Sequence, residues 1–334
     1  LIKKKYRGFG PKILKRVEEV IEHAAECRRR GVVGEDFPLL RELKKNRNTL
    51  AIMELSTVWG IGPSTARLLC SKGLFSVSDL LRECENKRIN LSHGQRIGLK
   101  YFDDLNSRIP RAEVGRIRNC VQEAAVALCN DAIAVTCGSY RRGKATCGDV
   151  DILLCSPALD TGLQMVHFMS KLIKKLKAVA FLVDDLTPEF ETSYMGVCIL
   201  PEPNALHRHI DIKIYPKEQF SFAQLYFTGS DHFNRSMRHY ANRIGWTLGD
   251  RGLFPAQRHS GNRSGKKTVL GASITATSEQ DIFDALGLQF RLPEQRNCYE
   301  EIMIEEEEEV VSDGETPERC RPVLRESENE NDSK

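Results

Sequence analysis

No stretch of this chain is apolar for long enough to cross a membrane. A membrane span needs about 18 residues, whereas one of the longest apolar runs, Ala178 to Val183, is the size of a core strand. The 11 cysteines are odd in number and include no CxxC pair. That fits reduced thiols in the nucleus, the cytosol or the mitochondrial matrix better than a disulfide framework or a zinc site. Nothing resembles a targeting peptide, and the first residue is Leu1 rather than Met, as in a fragment.

What is present is a globular composition, 41% hydrophobic and 28% charged over 334 residues, enough for two or more cores. The net charge of +3 conceals an asymmetry. Residues 300–334 hold 14 acidic and 4 basic side chains, while the first 100 hold 21 basic and 11 acidic. A basic body with an acidic tail suits a polyanionic partner with which the tail competes for the basic surface; a merely solvated basic surface explains the charge alone equally well.

Apolar spacing predicts a helix over 11–30, ended by Gly31, and shorter helices over 63–72 and 76–84. A helix over 112–129 precedes five strand-like segments, IAVTCGSY, DVDILLCS, AVAFLVDD, YMGVCILP and IDIKIYP, with another helix over 160–177 between two of them. The pattern is an α+β sheet domain behind a mostly helical amino-terminal region. Residues 251–277 read as an exposed loop with a hairpin, and the acidic, hydrophobe-poor stretch after Cys298 reads as disordered.

Two copies of a glycine hairpin, GFG at 8–10 and GIG at 60–62, are each followed by Pro and a helix. Paired glycines permit a tight turn at positive φ, and the amide groups of the following helix then face outward as a phosphate site. A single GxG is usually only a turn, but two on basic helices point to helix-hairpin-helix elements. Gly60, Gly62 and Ser64 of the second copy are candidate DNA-backbone contacts.

Alternate strand residues face one way, so Asp149 and Asp151 share a side ahead of Ile152-Leu153-Leu154, and Asp211 alternates against Ile210, Ile212 and Ile214. One such pair is more often a solvent-facing edge. Three carboxylates on two apolar strands instead suit hard divalent ions, Mg2+ or Mn2+, that clamp a phosphoryl displacement. The preceding loop supplies donors for a triphosphate in Gly138, Ser139 and Arg142, with Gly148 allowing close backbone approach.

GSYRRGKATCGDVDILL, with GIGPSTAR, QRIGLKYF, RIPRAEV, HIDIKIYP and LYFTGSDHFNRSMR in order behind and ahead of it, resembles the family X DNA polymerases, the group that includes the beta and lambda types and terminal transferase. The resemblance runs from about residue 4 to 297. It implies two metal ions on Asp149 and Asp151, one shared with Asp211. It also implies a triphosphate on Arg108, Ser139, Arg142 and Gly148, although Cys147 stands where a hydroxyl is common. Tyr226, Phe227 and Gly229 would line the deoxyribose, Asp231 and Asn234 would meet the base, and Arg235 and Arg238 the template. Na+ or K+ would sit on the carbonyls of Ser56, Val58 and Ile61 in one hairpin and of Lys4, Tyr6 and Phe9 in the other, with Lys12 on a 5′-phosphate.

Five segments are implied: a partial lyase-like helical domain (1–46), a DNA-binding subdomain (47–110), a catalytic palm (111–217), a nucleotide- and template-binding subdomain (218–297) and the tail (298–334). The implied activity is DNA-directed, gap-filling synthesis for base-excision or double-strand-break repair, by a monomer acting on gapped or nicked duplex DNA and dNTPs in the nucleus or mitochondrion, with repair proteins as partners. Template-independent or error-tolerant synthesis of the terminal-transferase kind is the alternative, made less favourable by the lack of a long insertion before Asp211; a non-catalytic scaffold conflicts with the intact aspartates. Two departures stand out. Arg16 occupies the position of the family's lyase lysine, and an arginine stays protonated and cannot form a Schiff base, so lyase activity is expected to be weak or absent; Lys15 is turned about 100° away on the helix. His209 stands where relatives carry arginine, which makes pH-sensitive positioning of Asp211 an expectation.

Overall fold

The computed structural model describes residues 11–32, 34–187, 190–258 and 267–297. Lys4, Tyr6, Phe9 and the acidic tail lie outside them. The chain divides into two compact units, Leu1–Phe102 and Asp103–Lys334.

The first unit is helical: α1 Pro11–Arg29, α2 Pro38–Lys45, α3 Arg47–Leu55, α4 Pro63–Ser71, α5 Val77–Glu85 and α6 His93–Lys100, with α7 Phe102–Asn106 at the junction. Caps explain the starts. Asn46 accepts the Thr49 amide, Ser76 the Asp79 amide, and Ser92 with Gln95 forms a reciprocal capping box. The turn between α3 and α4 tucks Val58 and Ile61 into a core with Leu55, Leu69 and Leu80. Gly60 (φ 80°) supplies the left-handed residue, and its carbonyl accepts from Gln95 Nε2 at 3.0 Å.

The second unit carries β1 Ile109–Pro110, α8 Arg111–Val126, β2 Ile133–Thr136, α9 Gly138–Arg141, β3 Thr146–Cys147, β4 Val150–Cys155, α10 Gly162–Ala178, β5 Leu182–Asp185, β6 Ser193–Cys198 and β7 Arg208–Ile214. It continues with α11 Lys217–Thr228, α12 Asp231–Arg243, β8 Trp246–Leu248, β9 Leu253–Arg258, β10 Lys267–Val269, α13 Glu279–Ala285 and a 3-10 turn at Pro293–Arg296. The main sheet runs β2-β4-β7-β6-β5, with β4 and β7 parallel and the other pairs antiparallel. A core of Val114, Ile117, Val121, Phe168, Met169 and Leu172 from α8 and α10 packs on Ile152, Leu154, Ile210 and Ile212 of the sheet. A smaller antiparallel sheet, β10-β9-β8, belongs to a second core built around Phe222, Leu225, Met237, Leu253 and Phe283.

Several boundaries differ from the pattern reading, each for a local reason. The segment IAVTCGSY stops being a strand at Thr136, because Gly138 takes φ 54° and the chain turns into α9. In AVAFLVDD the first residues end α10 and turn at Ala180 (φ 55°), leaving Leu182–Asp185 as strand. Around LYFTGSDHFNRSMR the chain forms two helices: Gly229 (φ 68°) closes α11 and Ser230 caps α12 by accepting the Phe233 amide. The hairpin expected in 251–277 is β9 with β10. Burial of Leu172 (0% exposed) against the exposure of Leu163 (81%) on the same helix sets a stability contrast. In urea denaturation Leu172→Ala should cost about 2–5 kcal/mol and Leu163→Ala no more than about 0.5 kcal/mol.

Candidate active site

Strand register creates the acidic centre. β4 and β7 run parallel with Asp151 directly opposite Asp211, while their neighbours Val150, Ile152, Ile210 and Ile212 are buried in the core. Asp149 immediately precedes β4. Burial pushes the Asp151 carboxyl up to about 8, and Asp149 and then Asp211 add to the effect. Asp211 Oδ1 is buried with no hydrogen-bond partner, and its Oδ2 accepts from Lys213 Nζ at 2.5 Å. Three convergent carboxylates, one with an orphaned oxygen and one made reluctant to ionise, are the donor set that a hard divalent cation satisfies.

The loop before β4 presses against this centre. Gly138 is required there, since a Cβ would lie 2.1 Å from Asp151 Oδ2. The Cys137 amide donates to the Asp151 carbonyl at 2.9 Å. The loop is held at both ends by Arg111, the first residue of α8: its guanidinium donates to the Tyr140 carbonyl, stacks 3.9 Å from the Tyr140 ring, and its amide donates to Ala145 O at 3.0 Å.

A cleft of about 810 Å³ opens over the loop and gathers residues nominated for the nucleotide, the metals and the template: Arg108, Gly138, Ser139, Arg142, Gly148, Asp149, Asp151, Tyr226, Phe227, Gly229, Asp231, Asn234, Arg235 and Arg238 line it. Asp211 lines a small adjoining pocket with Asp151, Lys213 and Phe227. Arg108 donates to Thr146 O at 2.6 Å, and Arg142 to Thr228 O at 2.6 Å and Asn297 Oδ1 at 2.9 Å. Gly229 lets Arg142 approach, as a Cβ there would be 3.1 Å from Nη1. Asn234 Nδ2 donates to Tyr226 O at 2.6 Å and Arg238 lies 5.1 Å from the Tyr226 ring centroid. Asp231 is ion-paired with Arg235 in this state, which holds its carboxyl below the usual range.

The sequence reading missed Lys213, Arg111 and a buried ionic knot. Glu279 accepts paired bonds from Arg141 (2.9 and 2.8 Å) and from the fully buried Arg296 (2.8 and 3.3 Å), and Arg141 also donates to Thr228 Oγ1 at 2.7 Å. Burial pushes Glu279 up, but the two guanidiniums outweigh it and hold the carboxyl low. Alternation in IDIKI would have placed Lys213 beside Asp211; nothing local marks Glu279. For His209, burial moves the imidazole below the ordinary histidine range, against the pull of Asp149 and Asp211. Any titration therefore falls on the acid side of neutrality.

In the first unit, Gly60, Gly62 and Ser64 are exposed at the start of α4, and the Val58 carbonyl accepts the Ile61 amide at 3.0 Å. Lys12 and Arg16 are exposed on α1, with Arg16 paired to Glu19 at 2.7 Å.

Comparison with known proteins places these parts. Residues 108–217 match the DNA polymerase beta palm, 223–297 the DNA polymerase beta thumb, and 53–106 the fingers domain of DNA polymerase lambda. DNA polymerase lambda of Arabidopsis thaliana is 38% identical over 268 residues, covering 77% of this chain and 48% of that protein. DNA polymerase lambda of Rattus norvegicus is 36% identical over 295 residues, covering 87% and 47%. The chain belongs to the family X DNA polymerases. It spans about half the length of these curated relatives. In family X terms the acidic centre lies wholly within the palm match, and the knot at Glu279 joins palm to thumb.

The fit between Gly138 and Asp151 is testable. Gly138→Ala should weaken Mn2+ binding to the isolated chain by at least about tenfold, since the methyl group forces the Asp151 carboxylate from its position. Gly162→Ala, where a Cβ meets nothing within 4 Å, should leave it unchanged.

Proposed function

We propose that this chain is a DNA-directed DNA polymerase that adds dNMPs to a primer 3′-hydroxyl at short gaps. The observation that carries the reading is the convergence of Asp149, Asp151 and Asp211 beside a cleft whose other wall is basic and aromatic. Polymerases of this family generally use divalent metals, and the acidic centre fits them. Asp149 and Asp151 would hold two ions, Mg2+ with Mn2+ as a substitute, and Asp211 would share the one nearer the primer. Bound there, such ions neutralise charge that develops on the phosphate as the new bond forms.

The remaining work falls to the chain. The primer 3′-hydroxyl gives up its proton to solvent, its oxygen forms a bond to the α-phosphorus, the bond from that phosphorus to the α–β bridging oxygen breaks, and pyrophosphate leaves with its electrons. Arg108 and Arg142, with Ser139 and the backbone at Gly138 and Gly148, hold the triphosphate in line; catalysis is mainly positioning and charge stabilisation. Tyr226, Phe227 and Gly229 bound the sugar and leave little room for a 2′-hydroxyl. Asp231 and Asn234 face the base, the former once Arg235 turns from it to the template beside Arg238.

In the first unit, Gly60, Gly62 and Ser64 would meet the DNA backbone, with Na+ or K+ on the carbonyls of Ser56, Val58 and Ile61, and Lys12 a 5′-phosphate. Arg16 supplies no Schiff-base amine, so lyase activity forms no part of the reading. Gapped or nicked duplex, dNTPs and repair proteins are the proposed partners of a monomer, and nuclear repair the setting. The proposed domain boundaries fall at 46, 110, 217 and 297. The β6–β7 connection runs only from Ile199 to His207, which supports templated over template-independent synthesis.

Primer extension on a one-nucleotide gap with Mg2+ tests the proposal. The chain should fill the gap with the complementary dNMP, and Asp211→Ala should lower the rate at least about 100-fold. Equal extension by the Asp211→Ala variant would refute the mechanism.

A further inference from the structure

The first unit holds a cluster that the polymerase reading leaves unused. His23 and Cys27 lie four residues apart on α1 and so share a face, and Glu35 returns to them from the link to α2. Cys27 Sγ is 3.7 Å from His23 Nδ1 and 3.7 Å from Glu35 Oε2, and one ligand atom from each of the three lies within 4.8 Å of the others. Bonds of about 2.3 Å to sulfur and about 2.0–2.1 Å to nitrogen or oxygen, at the tetrahedral angle, put ligand atoms about 3.5 Å apart. The cluster is already near that spacing.

Its surroundings favour a metal over packing. A buried thiol ordinarily sits among apolar groups, but Cys27 (7% exposed) is ringed by an imidazole, a carboxylate and a guanidinium. The guanidinium is Arg30, whose Nη2 is 2.6 Å from Glu35 Oε2 and 3.7 Å from Cys27 Sγ; a cation therefore already occupies this position. Glu35 is held by a second guanidinium besides Arg30. Arg41 Nη2 donates to Oε1 at 2.9 Å and leaves Oε2 turned to the sulfur. The His23 ring is packed edge-on against Phe37, centroids 5.6 Å apart. Ligands steadied from behind in this way are characteristic of metal centres.

We propose that His23, Cys27 and Glu35 form a zinc site, with Arg30 standing in the ion's place when zinc is absent. Zn2+ takes the sulfur, one imidazole nitrogen and Glu35 Oε2; the thiol proton passes to solvent and Arg30 turns out to water. Thiolate and carboxylate then balance the two positive charges, and the fourth position is open to water. Sulfur and nitrogen donors select zinc over Mg2+ or Ca2+. The consequence is a clamp fastening the segment around Glu35 to α1.

Cobalt(II), a coloured substitute for zinc, provides the probe. Titrating the full chain with Co2+ should give one equivalent bound with a thiolate-to-cobalt charge-transfer band, bleached by Zn2+. Co2+ on the carboxylates of the acidic centre gives no such band. Cys27→Ser and His23→Ala should abolish the band. Glu35→Gln and Arg41→Ala, at partly exposed positions that leave the fold intact by circular dichroism, should weaken Co2+ by about tenfold, and Arg30→Ala should tighten it. Absence of the band, its survival in Cys27→Ser, or an affinity indifferent to Glu35→Gln and Arg30→Ala would overturn the proposal.

Discussion

Everything in the second unit answers to one electrostatic problem: strands β4 and β7 carry Asp151 and Asp211 at the same register, with Asp149 beside them. Neighbouring strands lie about 4.8 Å apart. At an effective dielectric near 20, two like charges at that distance repel by roughly 3 kcal/mol. The apolar alternation of both strands forbids the aspartates from turning away, because a shift of one residue would drive Ile152, Ile210 and Ile212 out of the core. The sheet thus forces carboxylates together, and either a proton held on Asp151 or nearby positive charge relieves them. Lys213 supplies part of it through Asp211, and the orphaned Asp211 Oδ1 marks what is left over for an ion.

The rest of the site is built to keep its cations near this centre without collapsing onto it. Arg142 is tied to Thr228 O and Asn297, and Arg141 to Glu279 and Thr228. These anchors come from the end of α11, from α13 and from the segment closing the thumb match, so the triphosphate loop and the thumb are fastened to each other. A buried carboxylate shared by two arginines specifies geometry more than it adds stability. Gly138, Gly148 and Gly229 are points where a side chain would press on Asp151, Arg108 and Arg142 respectively.

How much of this could be read beforehand depended on the range of the interaction. Residues that alternate or recur every three to four positions declared α1, α8, α10, β4 and β7, and with them the aspartates. The turn residues Gly138 and Gly229 were read as phosphate and sugar contacts, yet they also end a strand and a helix, which periodicity averages away. The parallel pairing of β4 with β7 and the Arg141–Glu279 contact, 138 positions apart, leave no local trace. The scattered cysteines without CxxC spoke against a zinc site, whereas the cluster of His23, Cys27 and Glu35 argues for one, because ligand spacing on a helix face completed by a residue beyond the helix escapes a motif scan.

The central claim is that burial and mutual repulsion, not sequence alone, make the three aspartates a cation site. Mn2+ affinity of the chain measured across pH tests it most directly. The Asp151 carboxyl, pushed up to about 8, keeps its proton below that pH and must lose it to take a metal. Affinity should therefore rise by about tenfold per pH unit and level off above about pH 8, with the rise absent in Asp151→Asn. An affinity flat from about pH 6 upward, or undiminished in Asp151→Asn, would contradict the account.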